Sequence, residues 1–424
     1  MEQMKTVIMA GGKGTRISSV ASDIPKPMIK INNKPVLEHE IECLRDQGFT
    51  DLIITVSHLG NIIMDYFGDG SAFGVKIKYF NETVPLGNAG ALFQLKRELQ
   101  ENFLLLNADA VFNVDFNRFV DFHKKSGGLV TLFTHPNSHP YDSGLIISDQ
   151  NGCVEKWLTK EDSRPSFYKN RVNAGLHIIS PRVLDAKIDS EKIDLDRQLL
   201  KPLAGTGKMF CYDSPEYVKD MGTPDRYRAV IEDFKTGRVQ QKNLKNKQKA
   251  IFLDRDGTIN KYVGFLRNID DFKLEKGAAE AIKRINQSGY LAIVITNQPV
   301  IARGELKIAE LEEIHNKMET LLGLQGAYLD AVYYCPHHPH KGYPGEVAEL
   351  KIDCNCRKPK PGLILEAAGK FNIDLKESWM IGDGENDIKA GKAAGCRTAL
   401  IGNDEFGQTL TAKSLLDFVN NYLN

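Results

Sequence analysis

Apolar residues come in two rhythms along this chain, and the rhythms alternate. Residues 6–10 (TVIMA) form a short run rich in β-branched side chains that ends at glycines. Val36, Leu37, Ile41 and Leu44 then fall at helical spacing within 36–47, and Gly48 closes the pattern. Strand-like runs recur at 52–57, 76–80 and 103–106, with a helical stretch at 90–99 between the last two. Strands alternating with helices predict βαβ units and a mostly parallel sheet. From 129 onward the strand-like runs crowd together, at 129–134, 144–148 and 175–180, which predicts a mixed-sheet extension before a helix at 224–235. A second series starts at 250. Its strands are expected at 250–253, 291–296, 331–334, 379–381 and 398–401, and its helices at 278–287, 308–322 and 362–371. Residues 238–249, RVQQKNLKNKQK, are polar and basic and lack periodic apolar positions, so they are read as a linker. The expected class is α/β with two doubly wound domains, 1–237 and 249–424, joined through 238–248.

Composition narrows the function classes. Lys and Arg number 55 and Asp and Glu 55, so bulk positive charge does not point to a nucleic-acid partner. No apolar run approaches the roughly 18 residues of a membrane helix. The first residues, MEQMKTVIMAGGKGTR, lack a secretory apolar region and enter a strand directly. A soluble cytoplasmic protein with small-molecule substrates and no membrane partner is expected; the oligomeric state, homo-oligomer included, stays open. Three of the seven cysteines, Cys335, Cys354 and Cys356, sit near His337, His338 and His340, which in a reducing compartment reads as a metal site before it reads as disulfides.

In the first half, the run at 6–10 leads into Gly11-Gly12-Lys13-Gly14-Thr15-Arg16. Glycines let backbone N–H groups approach phosphate oxygens, and Lys13 and Arg16 add positive charge. Arg16 stands where a dinucleotide fingerprint wants its third glycine, and no GK[ST] closes a Walker loop. Pro25-Lys26-Pro27-Met28 holds one lysine in a stiff segment. Asp109 ends an apolar strand and Asp220 precedes a helix, a pair suited to a divalent metal between phosphates. GGKGTR, PKPM, PLGNAG (85–90), NAD (107–109) and NAG (173–175), in that order over about 4–235, resemble the sugar-1-phosphate nucleotidyltransferase family, and within it the heptose-1-phosphate guanylyltransferases. The resemblance implies a Rossmann-like domain in which Gly11, Gly12, Lys13, Gly14, Thr15 and Asn107 bind the nucleoside triphosphate. It implies that Arg16 and Lys26 stabilise charge as the sugar phosphate oxygen attacks the α-phosphorus. It also implies that Asp109 and Asp220 hold Mg²⁺, and that Glu82, Gly87, Lys156 and Asn173 contact the sugar phosphate. Ala108 and Asn88 depart from the commoner pattern without removing a charge.

In the second half, a strand runs into Asp254-Arg255-Asp256-Gly257-Thr258. Two carboxylates at i and i+2 can serve as nucleophile and as proton donor to a leaving alcohol. Thr296-Asn297 follow a second strand, Lys358 stands further on, and Gly382-Asp383-Gly384-Glu385-Asn386-Asp387 follows a third strand. This set resembles the haloacid-dehalogenase (HAD) superfamily of phosphatases. The resemblance implies Asp254 as nucleophile, Asp256 as general acid/base, Thr296 and Lys358 on the phosphoryl group, and Mg²⁺ held by Asp254, Asp256 and Asp383 with support from Asp387. Cys335, His337, Cys354 and Cys356 make a closed tetrahedral set of the structural-zinc kind, with His338 and His340 as rival ligands. CPHHP and CxCRKPxPG resemble heptose-1,7-bisphosphate phosphatases and, almost as well, histidinol-phosphate phosphatases. By that resemblance Arg357, Asn297 and Gln298 touch the substrate. Pro299-Val300 stand where those families carry Ser-Gly. The short stretch after Gly257 leaves little room for a cap domain.

The combined expectation is a bifunctional enzyme of nucleotide-sugar synthesis. The second domain would remove the C7 phosphate of heptose 1,7-bisphosphate, and the first would transfer GMP from GTP to heptose 1-phosphate. The rivals are a hexose-1-phosphate nucleotidyltransferase joined to a histidinol-phosphate-type phosphatase, and a regulatory nucleotide-binding module tethered to one working phosphatase.

Overall fold

The computed structural model describes residues 4–11, 23–84 and 86–423. Contacts divide the chain into two compact units. The first takes in residues up to 135, 144–159 and 173–243; the second is built from 244–424 together with 136–143 and 160–172.

The first unit is organised by one sheet, nine-stranded among the described residues. Thr6–Met9 is central and lies parallel to both Asp51–Val56 and Phe103–Asn107, and Lys76–Asn81 adds parallel to Asp51–Val56. These strands carry Val, Ile and Leu at successive positions because helices cover both faces, as parallel sheets require. Val172–Ile179 joins antiparallel to Phe103–Asn107, and Leu145–Ser148 and Val154–Leu158 form an antiparallel pair beyond it. The mixed extension expected from residue 129 is therefore present. The helix expected at 36–47 is Val36–Arg45. Gly48 follows it at φ 87°, a conformation open to glycine. The helical stretch at 90–99 is shorter than its apolar pattern: Gly90–Gln94 is α-helical and Leu95–Arg97 tightens to 3₁₀.

The second unit has a six-stranded parallel sheet in the order Ala331–Cys335, Tyr290–Asn297, Lys249–Leu253, Trp379–Gly382, Arg397–Ile401, Leu410–Ala412. The strand starting the second series thus lies in the middle of the sheet, and its two neighbours come from later in the chain. Residues 258–277, after the first aspartate pair, contain only the 3₁₀ turn Ile269–Asp271 before helix Ala278–Gln287, so no folded cap interrupts the unit there.

Two findings modify the expected linker and boundaries. Within 238–248, Arg238–Gln241 is helical, and Val239 and Leu244 are each about 1% exposed. Gln240–Gln241 and Lys245–Lys247 are exposed, but Lys242 and Asn243 are buried beside the two apolar anchors. Residues 160–172 belong to the second unit through helix Ile308–Gly323. The Arg171 guanidinium meets Glu319 at 3.1 Å with both side chains 4% exposed, the Asn170 N–H donates to the same carboxylate at 3.1 Å, and the Tyr168 N–H donates to Thr320 Oγ1 at 2.9 Å. A buried ion pair tolerates loss of neither partner, so this segment is bound tightly into the unit. Among the described residues, no helix is long and apolar enough to cross a membrane.

Candidate active sites

In the second unit, the parallel sheet brings Asp254, Thr296 and Asp383 together at the carboxyl ends of three adjacent strands, where α/β sheets place their sites. They line one cavity with Asp256, Arg357 and Lys358. The Lys358 ammonium, 3% exposed, lies 2.6 Å from Asp254 Oδ1 and 2.6 Å from Asp387 Oδ1, and donates to the Ile295 carbonyl at 2.7 Å. Burial works against its charge, but the two carboxylates outweigh it and raise the pKa above the ordinary lysine value. Asn297 fixes residue 358 from both sides. Its Oδ1 accepts from the Lys358 N–H at 3.0 Å, and its Nδ2 donates to the Lys358 carbonyl at 3.0 Å. Asn297 thus holds the lysine, a role the sequence did not indicate. Gly257, at φ 83°, is pressed against Asp383 so closely that any Cβ would overlap the carboxylate, and Gly382 meets Asp387 in the same way.

Asp254, Asp383 and Asp387 bring their carboxylate oxygens within 4.8 Å of one another. Burial first, with neighbouring carboxylates adding, pushes Asp254 and Asp383 up to about 6. Three carboxylates against one ammonium leave excess negative charge on hard oxygen donors, which fits Mg²⁺. The Asp256 carboxylate is not in that group, unlike the expectation that it ligates metal. Burial would raise it, but Arg255, Asn260 and Gln298 prevail and hold it below its usual value. Thr296 Oγ1 accepts from Gln298 Nε2 at 2.9 Å, so Gln298 ties the expected phosphoryl contact to Asp256.

The four expected cysteine and histidine ligands do meet. Sγ of Cys335 lies 3.5 Å from that of Cys354 and 3.2 Å from that of Cys356, the latter two are 3.2 Å apart, and His337 Nδ1 is 3.2 Å from Cys356 Sγ. The edge of a tetrahedron with metal–sulfur bonds of about 2.3 Å is roughly 3.7 Å, slightly longer than these separations, so a small expansion about one ion accommodates this set. Burial first pushes the Cys335 thiol far up, and a bound cation is what would reverse that. The rivals point elsewhere: His338 faces the His340 carbonyl and the Tyr343 ring, outside the group. Arg357 donates to the His337 carbonyl at 3.2 Å, so the loop bearing these ligands also positions Arg357 next to Lys358.

In the first unit, strand Tyr217–Asp220 runs antiparallel to Ala110–Asn113 with Asp220 opposite Ala110, which puts Asp220 beside Asp109. The Lys26 ammonium, 7% exposed, bridges them at 2.8 Å from Asp109 Oδ2 and 3.2 Å from Asp220 Oδ1. Arg226 takes the other Asp220 oxygen at 2.7 Å. Burial would raise Asp220, but Lys26, the Gly222 N–H and Arg226 hold it below its usual value. Paired carboxylates on hard oxygen fit a divalent cation, with Lys26 as the charge that balances them in its absence. Glu40 is 1% exposed, neither of its carboxyl oxygens has a partner among the described residues, and burial, then Asp109, raises it well above its usual value. Sequence reasoning missed this acid, which reads as one more polar position of an amphipathic helix.

The other expected contacts are partly assembled. Gly11 lies against Glu82 and Ser57, and the Ser57 hydroxyl donates to its carbonyl at 2.6 Å. Gly87, at φ 78°, abuts the Ile193 backbone too closely for any side chain. Gly175 packs on Asn107, and the Asn173 carbonyl oxygen Oδ1 accepts from the Gly175 N–H at 3.3 Å and from His177 Nε2 at 3.1 Å. That leaves the Asn173 amide nitrogen as a donor for a ligand. Lys156 is exposed on strand Val154–Leu158. Gly12, Lys13, Gly14, Thr15 and Arg16 lie outside the described residues, as does Pro85.

Comparison with known proteins finds relatives of both units. The family model described as nucleotidyl transferase matches residues 5–236, and one described as HAD-hydrolase-like matches 355–423. A rice (Oryza sativa subsp. japonica) protein named Probable mannose-1-phosphate guanylyltransferase 1 is 30% identical over 230 residues, 53% of this chain, and the chain spans 63% of its length. The D-glycero-beta-D-manno-heptose-1,7-bisphosphate 7-phosphatase of Escherichia coli (strain K12) is 39% identical over 174 residues, 41% of this chain and 89% of its own. The crystal structure of HddC from Yersinia pseudotuberculosis covers 55% of this chain and 99% of its own at 25% identity and a TM-score of 0.48. Over residues 5–236 the chain belongs to the nucleotidyl transferase family, and to that unit it joins a HAD-like phosphatase of the same family as the Escherichia coli protein.

Proposed function

We propose that the protein carries out two consecutive steps of GDP-heptose synthesis. The second unit removes the C7 phosphate of D-glycero-D-manno-heptose 1,7-bisphosphate. The first then joins heptose 1-phosphate to GMP from GTP, releasing pyrophosphate. The observation that carries this reading is the joining of the two families in one chain. The phosphatase relative is named for a bisphosphate whose hydrolysis leaves a sugar 1-phosphate, the class of substrate a sugar nucleotidyltransferase consumes.

In the phosphatase site, an Asp254 oxygen attacks phosphorus, the bond between phosphorus and the C7 oxygen breaks, and that oxygen takes a proton from Asp256, which Arg255, Asn260 and Gln298 hold below its usual value until the negative charge of the bound phosphate raises it. Water then attacks the aspartyl phosphate, releasing phosphate and returning a proton to Asp256. Lys358 and Thr296 hold the phosphoryl oxygens. Mg²⁺ at Asp254 and Asp383, with Asp387 behind, would offset the charge that gathers there. Zn²⁺ at Cys335, His337, Cys354 and Cys356 would fix Arg357 for the distal phosphate. In the transferase site, Lys26 supports the charge developing at the α-phosphorus, and Asp109 and Asp220 would hold Mg²⁺ on the triphosphate.

The rice relatives favour one alternative, mannose 1-phosphate as acceptor. Heptose, mannose and glucose 1-phosphates, each supplied with each of the four common nucleoside triphosphates and Mg²⁺, decide the matter by pyrophosphate release. The expected result is fastest release with heptose 1-phosphate and GTP. Preference for mannose 1-phosphate would establish the alternative, and no release with any pair would leave a regulatory nucleotide module.

A further inference from the structure

The phosphatase site contains a cation that the two reaction steps do not use. Arg255, between the two catalytic aspartates in sequence, is among the largest side chains that are fully buried. An unpaired guanidinium could not remain there, and its partners account for its position. Nη2 lies 3.0 Å from Asp256 Oδ1 and 2.8 Å from Oδ2, and Nε lies 3.2 Å from Oδ1. Nη2 also donates to Gln298 Oε1 at 3.0 Å, and Nη1 faces His315 Nε2 at 3.2 Å. His315 is buried on helix Ile308–Gly323 and stays neutral, so its Nε2 accepts from the guanidinium and anchors it from behind. Asn260 Nδ2 closes the cluster at 3.0 Å from Asp256 Oδ1, and Gln298 Nε2 at 2.9 Å from Oδ2.

The carboxylate of Asp256 is therefore held in plane by a rigid fork and two amides, while its side chain stays 18% exposed toward the cavity. A planar, bidentate guanidinium fixes the orientation of a carboxylate as a point-charge ammonium does not. We propose that Arg255, anchored by His315, is a positioning residue that aims Asp256 at the leaving-group oxygen. The inference rests on the phosphatase reading of this site, and wild-type turnover of a phosphate monoester tests that reading by itself.

The requirement for proton delivery separates aim from mere stability. An alkoxide leaving group needs the proton of Asp256, whereas p-nitrophenolate leaves readily without it. Rapid-quench measurement of leaving-group release in the first turnover, on the full chain with Mg²⁺, compares a sugar phosphate with p-nitrophenyl phosphate. Arg255→Lys keeps the buried charge and loses the fork. It is expected to slow release of the sugar by about 10- to 100-fold, approaching the factor general acid catalysis supplies, and release of p-nitrophenol by less than about threefold. His315→Leu leaves Asp254, Asp256 and Arg255 in place and should show the same split at smaller size, which decides the matter if the lysine variant does not fold. Equal slowing of both esters, or no slowing of either, would overturn the proposal.

Discussion

Single residues here act mostly by being buried next to the right partner. Lys358, Arg255 and Lys26 are nearly inaccessible cations, each held by carboxylates that would otherwise repel one another or a substrate phosphate. Buried neutral histidines make the opposite use of burial. In the first unit His123 accepts from Asn102 Nδ2 at 2.9 Å and pairs through Nδ1 with Thr131 at 2.8 Å. Burial lowers its pKa to about 4, and that of His177 to about 3. Each is neutral when folded, yet takes a proton near pH 6.5 once unfolded. The unfolded chain thus binds more protons between about pH 6.5 and 4, and stability falls as pH falls through that window, by at most about 1.4 kcal/mol per pH unit for each histidine. Melting curves of wild type and His123→Gln from pH 7 to 4.5 should converge as the pH drops, because the variant lacks one such proton uptake. Parallel curves would contradict this assignment.

Elements bring these residues together, and at this scale much was legible in the sequence. The strands expected in both units and the helices at 224–235, 278–287 and 362–371 are present, because a parallel strand buried on both faces and an amphipathic helix leave different patterns, whereas Ala110–Asn113, Val154–Leu158, Met209–Asp213, Tyr217–Asp220 and Leu410–Ala412 are strands that the pattern did not indicate. DxD and GDxxxD could be read because both sit where strands end. What could not be read depends on distant pairing. The Asp220–Ala110 register, the Arg171–Glu319 pair and the burial of Arg255 against His315 each join residues far apart in the chain or on unrelated elements. The helix and the anchors within 238–248 leave no trace in the pattern because two apolar residues, Val239 and Leu244, are too few to give a period. The ends of the loop 338–353 were legible because close CxH and CxC pairs flank it, and the four side chains of those pairs do meet. It also carries Tyr343, whose ring lies 4.3 Å from the Arg303 guanidinium, with Phe265 at 4.3 Å on another contact of that arginine. Cys356→Ser is therefore expected to lose one zinc per chain and loosen both Arg357 and the Phe265 loop. Elemental analysis finding no zinc in wild-type protein purified without chelator would contradict the ligand set.

For the whole molecule, the proposed function has one unit make the substrate that the other consumes. The phosphatase must leave the anomeric phosphate in place, since the transferase needs that oxygen as nucleophile. Co-residence on one chain raises local concentration, which differs from channelling and does not require it. The most direct measurement supplies heptose 1,7-bisphosphate, GTP and Mg²⁺ to the intact protein and follows phosphate and pyrophosphate in time, beside the Asp254→Asn variant. Phosphate should appear first and pyrophosphate second in the wild type. The variant should release neither from the bisphosphate, yet release pyrophosphate normally from heptose 1-phosphate. Pyrophosphate formation from the bisphosphate by the variant, or loss of the anomeric phosphate in the wild type, would contradict the account.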